Sequence, residues 1–486
     1  MNADITGICL AAPPTVAVGE PFSLGVKMLT EPYAAPWRCK YYSQLSVAGP
    51  FNLSPRGITY LDNVPREWRG AVLIGGGGGY VGPDAFSFAE GSGPYPNDAR
   101  PIRRIEGLSL ATPGTKFLTV RDLESGVTAM SNPIRVTPEP PAERLFWGDL
   151  HSQTFFSDGL RCPEELYAFA RDEAFLDVFA ISDHSESLTD RQWEYFVNVT
   201  NDHNEDGRFV TLVGQEWTSQ RFGHRNVYYP GGRGPILRRD DPVYGELSKL
   251  YDVAREHGAL VIPHHSANAE MGVDWSLGHD PEVERLVEIH SIWGNSERPA
   301  ERGNPFPIRN HGGEKAGQHV QDALALGRRY GFIGGGDIHD GRPGDELHSL
   351  QHEPPQYHLL RRQGIMGVWA PELSRNAVFD ALWNRRVFAT TNVRVLLRFS
   401  INGHPMGSEV LADSDLNVTV DAASGSPIAR IDLVRNGDDA RSVAPHQREV
   451  VWEVTDRAPG SACYYARLTL EDGNLAWSSP IWVSRP

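Results

Sequence analysis

Cysteine is scarce. The 486-residue chain has four (Cys9, Cys39, Cys162 and Cys463), widely spaced and with no CxxC pair. That excludes a cysteine zinc knuckle and a disulfide scaffold, and it fits a reducing compartment. Apolar runs are short, none approaching the ~18 residues that cross a bilayer. The opening MNADITGICLAAPPTV has neither a basic stretch nor a long apolar one, so it does not read as a secretory signal. Positive charge is in deficit: 46 basic against 62 acidic residues give a net charge of −16. A sequence-independent hold on nucleic-acid phosphates is therefore not expected. GxSxG, SxxK and Walker patterns are missing, so covalent serine catalysis and nucleoside-triphosphate chemistry have no support. The expectation is a cytoplasmic protein without a membrane or nucleic-acid partner.

Histidine is abundant and uneven. None of the 17 precedes His151, and 15 fall between His151 and His358. Imidazole is the commonest metal ligand and a frequent acid or base near neutral pH. His203, His348, His352 and His358 read as surface residues; the others must be weighed by their settings.

Residues 1–136 carry many turn signals, with short alternating stretches such as PFSLGVKML and TKFLTVRDL, and read as a β-rich domain. The glycine run Gly75–Gly79 lacks the Lys-Ser/Thr ending of a phosphate loop and reads as a hairpin tip. Residues 137–143, with Pro138, Pro140 and Pro141, form a stiff linker. From 144 to 395 strand-like and helix-like segments alternate. The helical stretches are 163–175, 189–203, 242–258, 319–331 and 374–388, and in the first Leu166, Phe169 and Ala170 follow an i, i+3, i+4 stripe behind Pro163. Residues 396–486 return to β character. A small echo links the two flanks: ESGVTAMSNPIRV (Glu124–Val136) and EDGNLAWSSPIWV (Glu471–Val483) share seven of 13 positions, as two similar closing hairpins would.

Alternation over more than 200 residues predicts an α/β core with a mostly parallel sheet. Polar constellations end its strands: His151 after LFWGDL, Asp183-His184 after VFAIS, Glu216 in VTLVGQE, His264-His265 after LVIP, His290 in VEIHS, and Asp337 and His339 in FIGGGDIH. Residues collected at C-terminal strand ends are the signature of a (β/α) barrel, since an open sheet uses only its switch point. Carboxylates and imidazoles converging on one mouth require a cation to offset their desolvation. With cysteine nearly absent the ligands are N and O, which suits Zn²⁺, Mn²⁺ or Fe²⁺.

In these ordered motifs the sequence resembles the PHP (polymerase and histidinol phosphatase) superfamily of metal-dependent phosphoesterases. It is more similar still to a bacterial PHP-like family of uncharacterised function whose β-rich segments flank the PHP core; the terminal AWSSPIWV adds to this. The resemblance covers about residues 144–395 and, more weakly, the ends. It implies an irregular (β/α)7 PHP-type barrel between β-sandwich-like N- and C-terminal regions, with two or three divalent metals. It also implies that His151, Glu216 and Asp337 hold the first metal. Glu216 then bridges to a second on His224 and His264, and Asp158, His184 and His339 take the third. The superfamily usually writes His-x-His at the opening motif, and Gln153 stands at the second position here. Gln153 can offer its amide oxygen to the first metal or hydrogen-bond a water beside it.

Read as residues, Asp158 precedes Gly159 and serves equally as a turn residue. Adjacent side chains on a strand point to opposite sides, so His264 and His265 are not expected to face one metal, and His265 is assigned to the substrate. Asp183 is expected to orient a ligand rather than to be one. The catalytic set is then Glu216, His265 and Asp183. His290 with Glu288, and Arg309, His311, Lys315 and Arg342 in loops above the mouth, are the candidates for holding an anionic small-molecule substrate. The expected activity is metal-dependent hydrolysis by an activated water, on a phosphoester first. The alternatives are a carboxylic ester, lactone or amide, or a non-catalytic binding protein on a degenerate barrel.

Overall fold

The computed structural model describes residues 4–36, 59–88, 93–95, 98–242, 244–345, 362–457 and 460–485. Cys39, His348, His352 and His358 lie outside the described residues.

All five expected helices form, most of them with a recognisable start or stop signal. Helix α1 (Pro163–Asp172) begins on Pro163, with Glu164 and Glu165 in its first turn, and buries Leu166, Tyr167, Phe169 and Ala170. Helix α2 (Asp190–Asp202) is closed by a capping box between Thr189 and Gln192. Helix α3 (Leu247–His257) stops at Gly258, whose φ of 60° ends it in the left-handed region. Helix α4 (Val320–Ala325) is shorter than its pattern promised, with Gly327 at φ 83° soon after its end. Ser374 caps α5 (Arg375–Trp383) by accepting from the Ala377 N–H.

The strands correct the expectation of a mostly parallel sheet closed into an irregular (β/α)7 barrel. Arg144–Asp149, Val178–Ala180 and Val210–Leu212 are parallel neighbours, as predicted. The stretch FVTLVGQEW then breaks at Val213. Its second half, Gly214–Trp217, pairs antiparallel with Arg225–Tyr228, which pairs antiparallel with Leu260–Pro263. The link from Trp217 to Arg225 is too short for a parallel crossover, which needs a dozen or more residues. Leu286–Ser291 and Gly331–Gly334 form a further parallel pair. Ile365–Ala370 and Val387–Thr390 close the region with antiparallel pairings. The strands thus fall into three sheets, and the chain is rich in strand with few helices. Isolated bridges between Ser152 and Ile338 and between His184 and Glu216 tie strand ends of different sheets together around the polar residues.

The largest sheet continues from Val387–Thr390 into Leu475–Ser478, Ala462–Leu470 and Leu416–Arg435. One apolar core accordingly runs from Leu145 and Trp147 to Ile481 and Val483. The N-terminal strands build a core of their own around Val16, Leu24, Val26, Leu118 and Val136. The sequence echo has a structural counterpart. Gly126 (φ 76°) and Gly473 (φ 80°) occupy the turns of two hairpins; after Ser-Asn-Pro the first leads into a strand with other partners, whereas after Ser-Ser-Pro the second leads into a strand that pairs again with the hairpin's own Ala462–Leu470. No helix among the described residues is long and apolar enough to cross a membrane.

Candidate metal centre

Glu216 is the centre of the polar cluster. Its Oε1 lies 2.9 Å from His224 Nδ1, 3.3 Å from His264 Nε2 and 3.4 Å from His184 Nδ1. Its Oε2 lies 3.4 Å from His151 Nε2 and accepts from the Gln153 amide at 3.0 Å. Burial would raise this carboxyl, but His184, His264, His151 and His224 around it hold it well below the ordinary glutamate range. Six segments must meet to build the cluster. The side chains come from residues after Asp149, after Ala180, within Gly214–Trp217, before Arg225, after Pro263 and after Gly334.

Among the described residues, three groups of potential ligand atoms lie within 4.8 Å of one another: His151, His264 and Asp337; His224, His264 and His265; and Asp158, His184 and His339. The third matches the set the resemblance implies. Asp158 Oδ2 is 3.4 Å from both His184 Nε2 and His339 Nε2. These two histidines hold the Asp158 carboxyl down against the opposing effect of burial. This group is half-buried, whereas the other two are buried, so the cluster is open to solvent on its side.

Two expectations about the buried groups change. The strand Leu260–Pro263 ends before the histidines, and His265 adopts φ 32° in a turn whose Asn268 N–H bonds back to its carbonyl. With strand geometry gone, the alternation rule no longer applies, and His264 and His265 face the same space. Gln153 is buried in the cluster, but it presents its N–H to Glu216; its Oε1 has no hydrogen-bond partner.

Behind the ligands lies a layer of carboxylates. Glu288, expected on the substrate side, sits behind His151 instead, with Oε2 2.9 Å from His151 Nδ1. That bond turns Nε2 toward Glu216 and Asp337, as a carboxylate behind a ligating imidazole does. Asp149 accepts the backbone N–H of His151 and of Gly336, at 2.9 and 2.8 Å, and burial pushes its carboxyl up to about 7. The run Gly334–Gly336 makes room for this pair. A Cβ on Gly335 would stand 2.0 Å from Glu288 Oε2, and one on Gly336 2.5 Å from Asp149 Oδ2. Asp183 braces the neighbouring loop through one oxygen, while its Oδ2 is buried without a hydrogen-bond partner. Its Oδ1 accepts from Thr154 N, Thr154 Oγ1 and Ser157 N at 3.1, 3.1 and 3.0 Å, and from Ser157 Oγ at 2.5 Å, fixing the loop that leads to Asp158. Burial pushes Asp183 up to about 6. Thr218, unnoticed in the sequence, bonds His184 Nδ1 at 2.5 Å.

The candidate substrate residues disperse. His290 turns away from the cluster: its Nε2 meets the Arg362 carbonyl at 3.1 Å and its ring stacks on Trp477 with centroids 6.0 Å apart. Burial lowers it to about 4, so it is a neutral packing residue. Arg342 is an anchor, buried over the Phe169 ring and paired with Asp62 at 3.2 Å and Asp345 at 2.8 Å. Its charge is spent on joining the 337–345 loop to the N-terminal strands. Arg309 and Lys315 are exposed. His311 stays near the cluster, its ring 5.4 Å from Trp293, which lies 6.1 Å from His339.

The residues fit divalent cations. Both ring nitrogens of His264, Nδ1 of His265 and Oδ1 of Asp158 are buried without a hydrogen-bond partner. Such groups are costly unless something in the site satisfies them. Imidazole and carboxylate donors together suit borderline d-block ions.

A family model described as a protein of unknown function, DUF3604, matches residues 163–297 and 336–440. Among curated proteins, an uncharacterised protein of Chlamydia pneumoniae is 29% identical over 404 residues, covering 78% of this chain and 63% of its own. One of Chlamydia trachomatis is 30% identical over 409 residues, with the same coverages of 78% and 63%. The chain thus spans 63% of the length of these relatives. Among solved structures, similarity extends to a two-domain protein from Bacteroides vulgatus, described as containing a predicted PHP-like metal-dependent phosphoesterase. The identity is 15%, the TM-score 0.37, and the coverage 71% of this chain and 97% of that one.

Proposed function

We propose that the chain is a metal-dependent hydrolase, of the phosphoesterase class, in an irregular PHP-like core (144–395) flanked by β-rich regions (1–136 and 396–486). The observation that carries this is the convergence of six histidines and three carboxylates, with the buried His264 nitrogens making no hydrogen bond. His151, His264, His224, His265, Asp337, Asp158, His184 and His339, with Glu216 between them, are the residues that would hold two or three cations. Cations held there would acidify a water and offset the negative charge developing on the reacting oxygens.

The chain's own contributions follow from the geometry. Glu288 and Asp149 hold His151 in one orientation, Asp183 holds the loop before Asp158, and Thr218 holds His184. The half-buried side of Asp158, His184 and His339 admits the substrate, which in this reading is a small anion rather than nucleic acid or lipid. Purification without chelator, elemental analysis, and turnover of aryl phosphate mono- and diesters beside aryl esters and amides test the proposal. Metal in the protein with phosphoester turnover abolished by chelation is expected. Ester or amide turnover alone would move the substrate class, and a metal-free active protein would overturn the reading.

A further inference from the structure

A cleft of about 390 Å³ opens between the N-terminal strands and the core, large enough for a small molecule. It lies at the end of the parallel strands opposite the polar cluster. Arg144 and Trp147 stand in the strand Arg144–Asp149, Asp177 directly precedes Val178–Ala180, and Arg208 precedes Val210–Leu212. His151 and Asp183, by contrast, follow the first two of these strands. Residues 11–15, Phe22 and Arg104 form the facing wall.

In a chain of net charge −16, this cleft is lined by five arginines against Glu106 and Asp177. Three of the five have carboxylates of their own: Arg144 pairs with Glu20 at 2.9 Å, Arg171 with Asp172 at 2.6 Å and Arg208 with Glu205 at 2.9 Å. Arg104 and Arg394 form no ion pair among the described residues; both are held by Phe175 and its neighbours instead. The Arg104 guanidinium lies 5.1 Å from the centroid of the Phe175 ring and donates to the Arg171 carbonyl at 3.0 Å. Arg394 donates to the carbonyls of Ala174 and Phe175 at 2.7 and 3.1 Å. A guanidinium carries five N–H donors, so each keeps several in reserve. Phe175 stands at φ 55°, an outlier for a bulky residue, with its ring so close to Gly25 that a Cβ there would lie 2.8 Å from it. Strain of this kind collects at ligand sites. Burial lowers the Arg394 guanidinium and the charge of Arg104 adds to this, against the pull of Cys9 and Asp177. Asp177 is engaged by the chain, its Oδ2 accepting from the Trp147 backbone N–H at 2.8 Å, and burial raises its carboxyl. The indole N–H of Trp147, another lining residue, is buried without a partner. The groups left over in the cleft are mostly donors, two of them on unpaired cations.

We propose that this cleft is a separate ligand site that takes a small oxyanion, a carboxylate or a phosphate group, between Arg104 and Arg394. Both groups match the guanidinium fork through paired N–H···O bonds. The site is independent of the metal cluster, which lies at the other end of the same strands.

Isothermal titration calorimetry of the full chain with inorganic phosphate and with succinate, at an ionic strength held constant with sodium chloride, tests the site. Wild type is compared with Arg104→Gln, Arg394→Gln and Arg221→Gln, the last being an exposed arginine outside the cleft. Wild type and Arg221→Gln should bind at least one of the anions saturably. The two cleft variants should bind it about tenfold or more weakly, the loss expected when a hydrogen bond to a charged group is removed. Binding of phosphate alone identifies a phosphate-bearing ligand, and binding of succinate alone a carboxylate. Arg394 also holds the backbone at residues 174–175, so where Arg394→Gln does not fold, Arg104→Gln, at the exposed rim, decides. Wild type that binds neither anion saturably overturns the proposal. So does binding that the cleft variants retain unchanged, which places the anion elsewhere, the metal cluster included.

Discussion

Replacing Gly335 by alanine would set a methyl carbon 2.0 Å from Glu288 Oε2, 2.7 Å from its Cδ and 3.0 Å from His151 Cβ. Glu288 is 2% exposed and lies in the strand Leu286–Ser291, so its carboxylate cannot retreat to solvent. Two responses are open. The carboxylate can swing aside, which breaks its 2.9 Å bond to His151 Nδ1; a hydrogen bond to a charged group contributes about 1.5–3 kcal/mol. Alternatively the backbone can yield, and overpacking costs about 1–3 kcal/mol. Either way Gly335→Ala should lose about 2–3 kcal/mol in urea unfolding, together with zinc affinity, because the His151 ring is no longer held from behind. Glu288→Ala removes both the clash and the bond. The double variant should therefore be less destabilised than the sum of the singles, with a coupling of about 1–3 kcal/mol, as expected for residues in contact. Urea titrations of the four proteins give the cycle. A Gly335→Ala protein within about 0.5 kcal/mol of wild type, the range of an inconsequential surface change, would refute the packing of Glu288 behind His151.

Glu216→Gln removes the charge that five neighbours share, so turnover should fall by more than about 100-fold, the upper end of the loss when a ligand's supporting partner is removed, while circular dichroism stays native; near-normal turnover would remove Glu216 from the centre. Arg342→Met leaves Asp62 buried without its partner and should cost about 3–5 kcal/mol in urea; unchanged stability with lost anion binding would return Arg342 to the substrate. Burial raises the Glu284 carboxyl, but Arg225, with His279, holds it at about 2 against an ordinary 4.5. A depressed carboxyl stabilises the fold above its unfolded value and loses that effect as pH falls toward the folded one. At about 1.4 kcal/mol per pH unit, the pairing contributes about 3 kcal/mol at neutral pH. The unfolding free energies of wild type and Glu284→Gln should therefore converge as pH drops from 5 toward 3, and a constant gap would contradict the pairing.

Much of the site was legible because it is local. His151, Glu216, His264, Asp337 and His339 each end an apolar run, and a run that must be buried carries its terminal residue to the rim of the core whatever the pairing. The helices were legible for a similar reason, since Pro163, the Thr189–Gln192 box and Ser374 act within one turn. Strand partners were not. Whether Gly214–Trp217 continues a parallel series or folds back on Arg225–Tyr228 depends on the length of a connection and on which edge is free, and neither leaves a mark in the periodicity. The same holds for side-chain direction. His264 and His265 were separated by a rule for regular strands, and a single positive φ at His265 removed its premise. Arg342 and His290 have the composition of substrate contacts, but long-range neighbours, Asp62 and Asp345 for one and Trp477 for the other, claimed them for packing. The residue types and their order determined by themselves that a cluster of N and O donors would form. Which imidazole faces which, and which carboxylate stands behind His151, was decided only when segments more than 100 residues apart came together, because hydrogen-bond direction and burial exist only in the packed chain.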